Sequence, residues 1–263
     1  MRLDDARALV TGAAGGLGGA SAAALARHGV ELVLTDRRAA RLLEVADSVG
    51  AHAALPGDLT VRAELDRVVS CAGRIDVLVA GAGLPAAGEL TTFTLEEAER
   101  AVAVNLLAPI ELARRLAPAM TARGRGHIVL LGSVAARVPL PATPLYNATK
   151  YGLRGLATTL RQDMRHHGVG VSLVSPGLVS GVGMWAETGL DPPPLVGTSG
   201  PEAVGAAVVR SIVRNRGEII VAPAFVRLGT LLAGMAPRQV AAITSRFGTK
   251  TSRDAARAMA RKR

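Results

Sequence analysis

Residues 8–19 read A-L-V-T-G-A-A-G-G-L-G-G, an apolar run that passes directly into a cluster of glycines. The run at 8–10 predicts a short strand, and the Ala-rich, proline-free stretch at 20–28 predicts a helix. A glycine turn in this setting lets the backbone approach a ligand, and the helix N-terminus offers free N–H groups to a phosphate. A glycine cluster can also be a plain turn. Its place inside one strand-to-helix turn favours a pyrophosphate site.

A second strand, expected at 30–35, ends at Asp36. An acidic residue at this point accepts hydrogen bonds from the adenosine ribose of NAD. Arg37 and Arg38 follow at once and are the competing signal, because a basic residue here can hold the 2′-phosphate of NADP. A carboxylate repels that phosphate, so we favour NAD over NADP. For Arg38 we expect a solvated position at the start of a helix.

Tyr146 and Lys150 lie four residues apart in the string Y-N-A-T-K. On a helix this spacing places both side chains on one face. A nearby ammonium favours the ionised phenol and so lowers its pKa, which suits Tyr146 to general acid–base work on an alcohol/carbonyl couple. Such pairs also occur by chance, so this interpretation depends on the rest of the chain.

Strand and helix signals alternate along the chain. Strands are expected at 7–11, 30–35, 51–55, 75–80, 126–132, 169–175 and 218–222. This alternation predicts an α/β fold: a single Rossmann-type doubly wound domain of about seven parallel strands with helices on both faces. We expect residues 1–222 to form the dinucleotide-binding and catalytic domain, and residues 223–263 to form an apolar and then basic helical extension.

The motifs follow one another in a recognisable order. They are Gly12-x-x-x-Gly16-x-Gly18, Asp36, G-D-L-T at 57–60, Asn105, Ser133, Tyr146 with Lys150, and Pro176-Gly177. In this combination the chain resembles the classical short-chain dehydrogenase/reductase family over about residues 6–222.

The resemblance implies a role for each matching residue. Ser133 would bind the substrate oxygen, Tyr146 would exchange the proton, Lys150 would bind the nicotinamide ribose and lower the Tyr146 pKa, and Asn105 would hold a water in a proton relay. The cofactor-binding residues would be Gly12, Gly16, Leu17, Gly18, Asp36, Arg37, Asp58, Leu59, Ala82, Tyr146, Lys150, Pro176 and Gly177. No metal site is expected, since the histidines show no metal-ligand spacing.

The chain departs from the family pattern in two places, residues 80–81 and residue 181. Residues 80–83 read A-G-A-G where the family usually has N-N-A-G, which we expect to remove hydrogen bonds beneath the adenosine site but no catalytic group. Gly181 stands where many members carry a threonine that contacts the nicotinamide carboxamide, so no such contact is assigned here.

Charge is concentrated at the C-terminal end. Residues 1–209 contain 19 basic and 19 acidic side chains, whereas residues 210–263 contain 12 basic and 2 acidic ones. The apolar stretch 222–247 and the basic tail 249–263 are expected to pack on the domain or on a partner subunit. Peripheral contact with an anionic membrane is the alternative. No nucleic-acid binding is expected, because no basic stripe interleaves with aromatics.

The flanks of the expected substrate site, 134–145 and 179–198, are mostly apolar, which favours a hydrophobic alcohol or ketone. The function expected is an NAD(P)-dependent oxidoreductase; the alternative is a catalytically minor, cofactor-binding scaffold or membrane-associated protein.

Apolar residues on the helices near 95–120 and 147–167, which pair between subunits in relatives, favour a homodimer or homotetramer. One cysteine, no signal-like start and no spanning apolar run favour a cytoplasmic location.

Overall fold

Seven strands form one parallel sheet in the computed structural model, which describes residues 1–193, 196–247 and 249–260. The strands are β1 (Arg7–Thr11), β2 (Glu31–Thr35), β3 (Ala53–Ala54), β4 (Val77–Ala80), β5 (Gly126–Leu131), β6 (Val169–Pro176) and β7 (Glu218–Val221). The predicted strands are confirmed, although β3 is shorter than expected. The last three residues of the basic tail, 261–263, lie outside the described residues.

The strand order is β3-β2-β1-β4-β5-β6-β7, with every neighbouring pair parallel. The order of the chain reverses between β1 and β4, so the loops that leave their carboxyl ends diverge. A crevice forms at such a switch point, and it is where ligands bind in open α/β sheets. The predicted doubly wound fold is confirmed.

Helices connect the strands and continue beyond β7. They are α1 (Gly16–Ala26), α2 (Ala39–Ser48), α3 (Arg62–Ala72), α4 (Leu95–Val102), a π-helical segment (Ala103–Leu107), α5 (Ala108–Ala122), α6 (Pro144–Met164), α7 (Gly183–Ala186), α8 (Pro201–Val213), α9 (Ala224–Met235), α10 (Pro237–Phe247) and α11 (Thr249–Ala260).

The sheet is buried on both faces. On one face Leu25 of α1 and Val208 of α8 join the core with Val10 of β1. On the other, Leu112 of α5 and Leu153 of α6 pack in the core that contains Leu9. Successive β1 residues point to opposite faces, so the apolar run of this strand supplies both cores.

The segment beyond β7 contacts the loops at the carboxyl edge of the sheet. The Thr244 hydroxyl of α10 donates to the Pro139 carbonyl at 2.9 Å, and Arg253 of α11 lies 3.3 Å from the Glu89 carboxylate. No helix in the described part of the chain is long and apolar enough to cross a membrane.

Candidate active site

The glycine turn packs tightly beneath the carboxyl end of β4. Gly12 has φ +67°, and a Cβ on it would lie 2.8 Å from the backbone of Ala82, so the turn requires glycine. A Cβ on Gly18 would lie 2.2 Å from the Gly12 carbonyl, which requires glycine at the first turn of α1 as well. The first N–H groups of a helix lack intrahelical partners, so Gly16, Leu17 and Gly18 offer theirs to an anion.

Position 16 also requires glycine, because of a contact with another loop. A Cβ on it would lie 2.4 Å from the Cβ atom of Val182, in the loop that follows β6. This loop therefore contacts the glycine turn directly, and a side chain at position 16 would push it away.

Asp36 lies at the end of β2 with a buried side chain. One carboxylate oxygen accepts from the Arg38 backbone N–H and Nε at 3.0 Å, and the other accepts from Arg38 Nη2 at 3.1 Å. Arg38 is exposed at the start of α2, as expected, and its guanidinium also pairs with Asp36 and lies near Gly15 of the glycine turn. Arg37 is exposed as well. The Arg38 guanidinium, rather than that of Arg37, lies at the Asp36 carboxylate.

Asp58 and Leu59 follow β3. The Asp58 carboxylate accepts hydrogen bonds from Thr60 and lies 3.0 Å from Arg100 of α4. Burial raises the pKa of Asp58, but the Thr60 hydrogen bonds and the Arg100 charge together hold it below its ordinary value. Leu59 is buried in the core. The lowered pKa means that the Asp58 carboxylate is negative at neutral pH, and it lies on the same side of the crevice as Asp36.

The turn after β4, where the family's asparagines are absent, has a side-chain contact that the sequence did not reveal. The Thr11 hydroxyl accepts the backbone N–H groups of Gly81 and Ala82 at 3.1 and 3.2 Å. A side chain from β1 therefore anchors the turn after β4.

Asn105 lies in the π-helical segment and is fully buried. Its Oδ1 accepts from the Leu84 N–H at 2.7 Å, and its Nδ2 donates to the Leu84 carbonyl at 3.0 Å. A carboxamide has one further lone pair and one further N–H. Asn105 thus fixes the loop after β4 and retains capacity for another partner; the expected water relay stays a prediction.

Ser133, Tyr146 and Lys150 come together at the carboxyl end of β5. The Ser133 hydroxyl lies just beyond β5 and hydrogen-bonds the Tyr146 phenol, and it also accepts the Ala135 N–H at 3.1 Å. Lys150 is buried one turn along α6, and its Nζ donates to the Leu131 carbonyl at 3.0 Å.

The expected lowering of the Tyr146 pKa was wrong. Burial raises the pKa of Tyr146, and the Ser133 hydrogen bond opposes this rise only in part. Burial also lowers the pKa of Lys150 to about 8. The predicted effect of Lys150 on the Tyr146 pKa is absent for a geometric reason. The Lys150 Nζ lies 5.6 Å from the centre of the Tyr146 ring and is directed to β5.

Pro176 and Gly177 end β6 on the same edge of the sheet. The Gly177 N–H donates to the Val221 carbonyl of β7 at 2.9 Å, which fixes the turn that begins the β6 loop. In the described part of the chain no cluster of three or more His, Cys, Asp or Glu side chains could hold a metal ion.

The structure therefore places the predicted residues around one crevice. The glycine turn, Asp36 and Asp58 lie on the β1–β3 side, and Ser133, Tyr146 and Lys150 lie on the β5 side. Sequence reasoning missed the ion pair between Arg38 and Asp36, the role of Thr11 and the contacts of α10 and α11. For Arg38 the signal was available, since a basic side chain two residues after a buried acid can fold back onto it.

A family model described as short chain dehydrogenase matches residues 6–192. The chain belongs to the short-chain dehydrogenase family. A ketoacyl reductase, HetN, from a Nostoc species is 36% identical over 221 residues, which are 81% of this chain and 77% of the relative. The predicted resemblance is confirmed.

Two solved structures give the same result. A short-chain dehydrogenase from Sphingobium yanoikuyae in complex with NADPH has a TM-score of 0.75 at 29% identity, covering 89% of this chain and 94% of that one. A 3-ketoacyl-(acyl-carrier-protein) reductase from Brucella melitensis complexed with NADH has a TM-score of 0.77 at 25% identity, covering 84% and 98%. As a member of this family, the chain is an NAD(P)-dependent oxidoreductase that acts on CH–OH groups.

Proposed function

We propose that this enzyme interconverts a hydrophobic alcohol and its ketone, with Tyr146 as the proton-exchanging group. The observation that carries the proposal is the assembly of the Tyr146 phenol, the Ser133 hydroxyl and the Lys150 ammonium at the end of β5. A protein that had kept only the cofactor fold would have no need of this set. The assembly therefore favours an enzyme over the scaffold alternative.

The chain's residues divide the work as follows. The bound nicotinamide supplies hydride exchange, which protein side chains cannot perform. The Ser133 hydroxyl holds the substrate oxygen beside the phenol. Tyr146 gives its proton to the carbonyl oxygen in reduction and takes it back in oxidation. The raised pKa of Tyr146 keeps the phenol protonated at neutral pH, which suits the reductive direction.

The residues of the crevice fit a dinucleotide. Unpaired N–H groups at the α1 terminus suit a pyrophosphate, and the Asp36 carboxylate suits a ribose diol. We propose NAD as the preferred cofactor, because a buried carboxylate repels a 2′-phosphate. Arg38 is the opposing feature, since its guanidinium could leave Asp36 for that phosphate.

An apolar substrate is supported by the loops beside Tyr146. Leu145, Phe93 and Ala86 pack around this residue, and Met184 lies near Asn105. The Nostoc relative's name, ketoacyl reductase, is compatible with a ketone on an alkyl chain. The first experiment is a screen of alcohols and ketones for a change in nicotinamide absorbance. No turnover of any apolar alcohol or ketone would contradict the proposal.

A homodimer or homotetramer forms part of the same proposal. A groove of about 410 Å³ runs between α5 and α6. Its apolar lining includes Ile110, Ala113, Ala117, Leu156, Leu160 and Met164. A second copy of these two helices would cover it.

Peripheral contact with an anionic membrane is supported by α9. Its outward face exposes Phe225, Leu228, Leu231, Leu232 and Met235. Residues 219–253 contain no acidic side chain, and Arg227 and Arg238 are exposed beside this face. An apolar face flanked by positive charge is typical of helices that lie on anionic lipid. A cytoplasmic location remains our expectation.

A further inference from the structure

The helix α11 has one apolar face and one basic face. Ala255 and Ala256 are buried, and Met259 is partly buried one turn further on the same side. Arg253 and Arg257 are exposed on the other side. The pattern is that of a helix docked on the protein by its apolar stripe.

The apolar stripe of α11 packs next to the substrate side of the site. A gap of only about 10 Å³ separates α11 from two loops of the catalytic domain. It is lined by Pro85 in the β4 loop, by Met184, Glu187 and Thr188 in the β6 loop, and by Ala258 and Met259 of α11.

This gap borders groups already placed in the site. Pro85 lies between Leu84, which is paired with Asn105, and Ala86, whose carbonyl accepts the Tyr146 N–H at 3.2 Å. A Cβ on Gly83 would lie 3.4 Å from the Asn105 Oδ1 atom and 3.7 Å from the Met184 Cε atom. Met184 therefore connects the neighbourhood of Asn105 to α11.

Two polar contacts attach α10 and α11 to other loops of the catalytic domain. The Thr244 hydroxyl binds the Pro139 carbonyl, in the loop between Ser133 and Tyr146, and Arg253 pairs with Glu89 in the β4 loop. Helices α10 and α11 therefore contact all three loops that surround the reacting groups: those after β4, β5 and β6.

We propose that residues 237–247 and 249–260 form a C-terminal cap over the substrate site, and that Met259 contacts the apolar part of the substrate opposite Met184. The inference rests on the proposed function and deepens it. A gap of this size holds about one water. A substrate with an alkyl chain extending this way therefore displaces Met259, whose flexible thioether side chain adapts easily.

Chain-length selectivity tests the cap. Initial rates of reduction of butan-2-one through dodecan-2-one are compared for the unmodified protein, Met259→Ala and Met235→Ala. Met235 is a matched control, because it lies on α9 with 84% of its surface exposed. For Met259→Ala the ratio of kcat/KM for long over short ketones should rise about tenfold, the low end for one methylene in an apolar pocket. An unchanged ratio in Met259→Ala overturns the role of Met259.

A second measurement does not depend on turnover. In a Cys71→Ser background, thiols introduced by Met259→Cys and Met235→Cys are labelled with a maleimide dye. A docked cap predicts labelling at least about tenfold slower at position 259 than at position 235, because labelling then waits for local opening. Equal rates overturn the cap. If no ketone is reduced while position 259 is protected, the proposed function fails and the docked cap stands.

Discussion

Lys150 and Tyr146 lie one turn apart on α6, with the Lys150 Nζ 5.6 Å from the centre of the tyrosine ring and bonded to the Leu131 carbonyl of β5. The cation is attracted to the ring face, but it does not lie at the phenol oxygen. The hydroxyl instead has Ser133 as its partner. Lys150 is therefore held by the sheet, with its ammonium buried at the carboxyl end of β5.

The buried ammonium makes stability depend on pH. Burial lowers the pKa of Lys150 from 10.5 to about 8. Between these values the unfolded chain holds a proton that the folded chain does not, so stability rises with pH across this window. Relative to Lys150→Met, the unmodified protein should gain about 2 kcal/mol of unfolding free energy from pH 7.5 to pH 9.5.

Urea unfolding at the two pH values measures this gain. Lys250→Met is the control, since Lys250 is exposed on α11 and its replacement should leave the pH dependence unchanged. The same stability difference between the unmodified protein and Lys150→Met at both pH values would contradict the burial of a charged Lys150.

Cofactor preference depends on Asp36. Titration should show that NAD binds more tightly than NADP. Asp36→Ala should weaken the binding of NAD about tenfold, the usual loss for a hydrogen bond to a charged group. The same substitution releases Arg38 from its ion pair and should strengthen the binding of NADP. Adding Arg38→Ala should remove that improvement, whereas adding Arg37→Ala should not. Tighter NADP binding by the unmodified protein would show that Arg38 outweighs the carboxylate.

Assembly depends on the apolar groove between α5 and α6. Light scattering at micromolar concentration should give two or four times the chain mass of 26.9 kDa. Leu156→Asp in the groove should lower the mass, since a carboxylate cannot be buried there without a partner. Leu43→Asp, on an exposed face of α2, should not. A single-chain mass for the unmodified protein refutes the assembly.

Membrane contact depends on the outward face of α9. The full chain should bind vesicles that contain anionic lipid at low salt and release them at high salt, because surface attraction is screened. Leu228→Glu should weaken binding about tenfold or more by placing a charge in the apolar face. Leu43→Glu is the matched control, with 57% exposure against 55% for Leu228. Equal binding to neutral vesicles would discard the electrostatic component.

The fold followed from local signals that act over short distances. The strand, glycine turn and helix at residues 7–26 required only apolar periodicity and the backbone freedom of Gly12. The order of motifs then placed Ser133, Tyr146 and Lys150 on one edge of the sheet. The strand, turn and helix were predictable because each depends on neighbours in sequence. The grouping of Ser133 with Tyr146 and Lys150 was predictable from the resemblance to the family.

Most of the features that sequence reasoning missed depend on contacts between distant segments or on burial. Thr11 binds the β4 loop across 70 residues, and Thr244 reaches Pro139 across 105. The Tyr146 pKa was predicted in the wrong direction because burial and the position of the Lys150 charge are three-dimensional properties. Spacing on a helix gives the face of a side chain, but not its depth or its partner.

The most direct test of the catalytic role is Tyr146→Phe, which removes the proton-exchanging hydroxyl and keeps the ring. With a ketone that the unmodified protein reduces, turnover should fall at least about 10²-fold, the low end for lost acid–base catalysis. Binding of the nicotinamide cofactor, measured by titration, should be largely retained. Near-normal turnover by Tyr146→Phe would contradict the assignment of Tyr146 as the group that exchanges the proton.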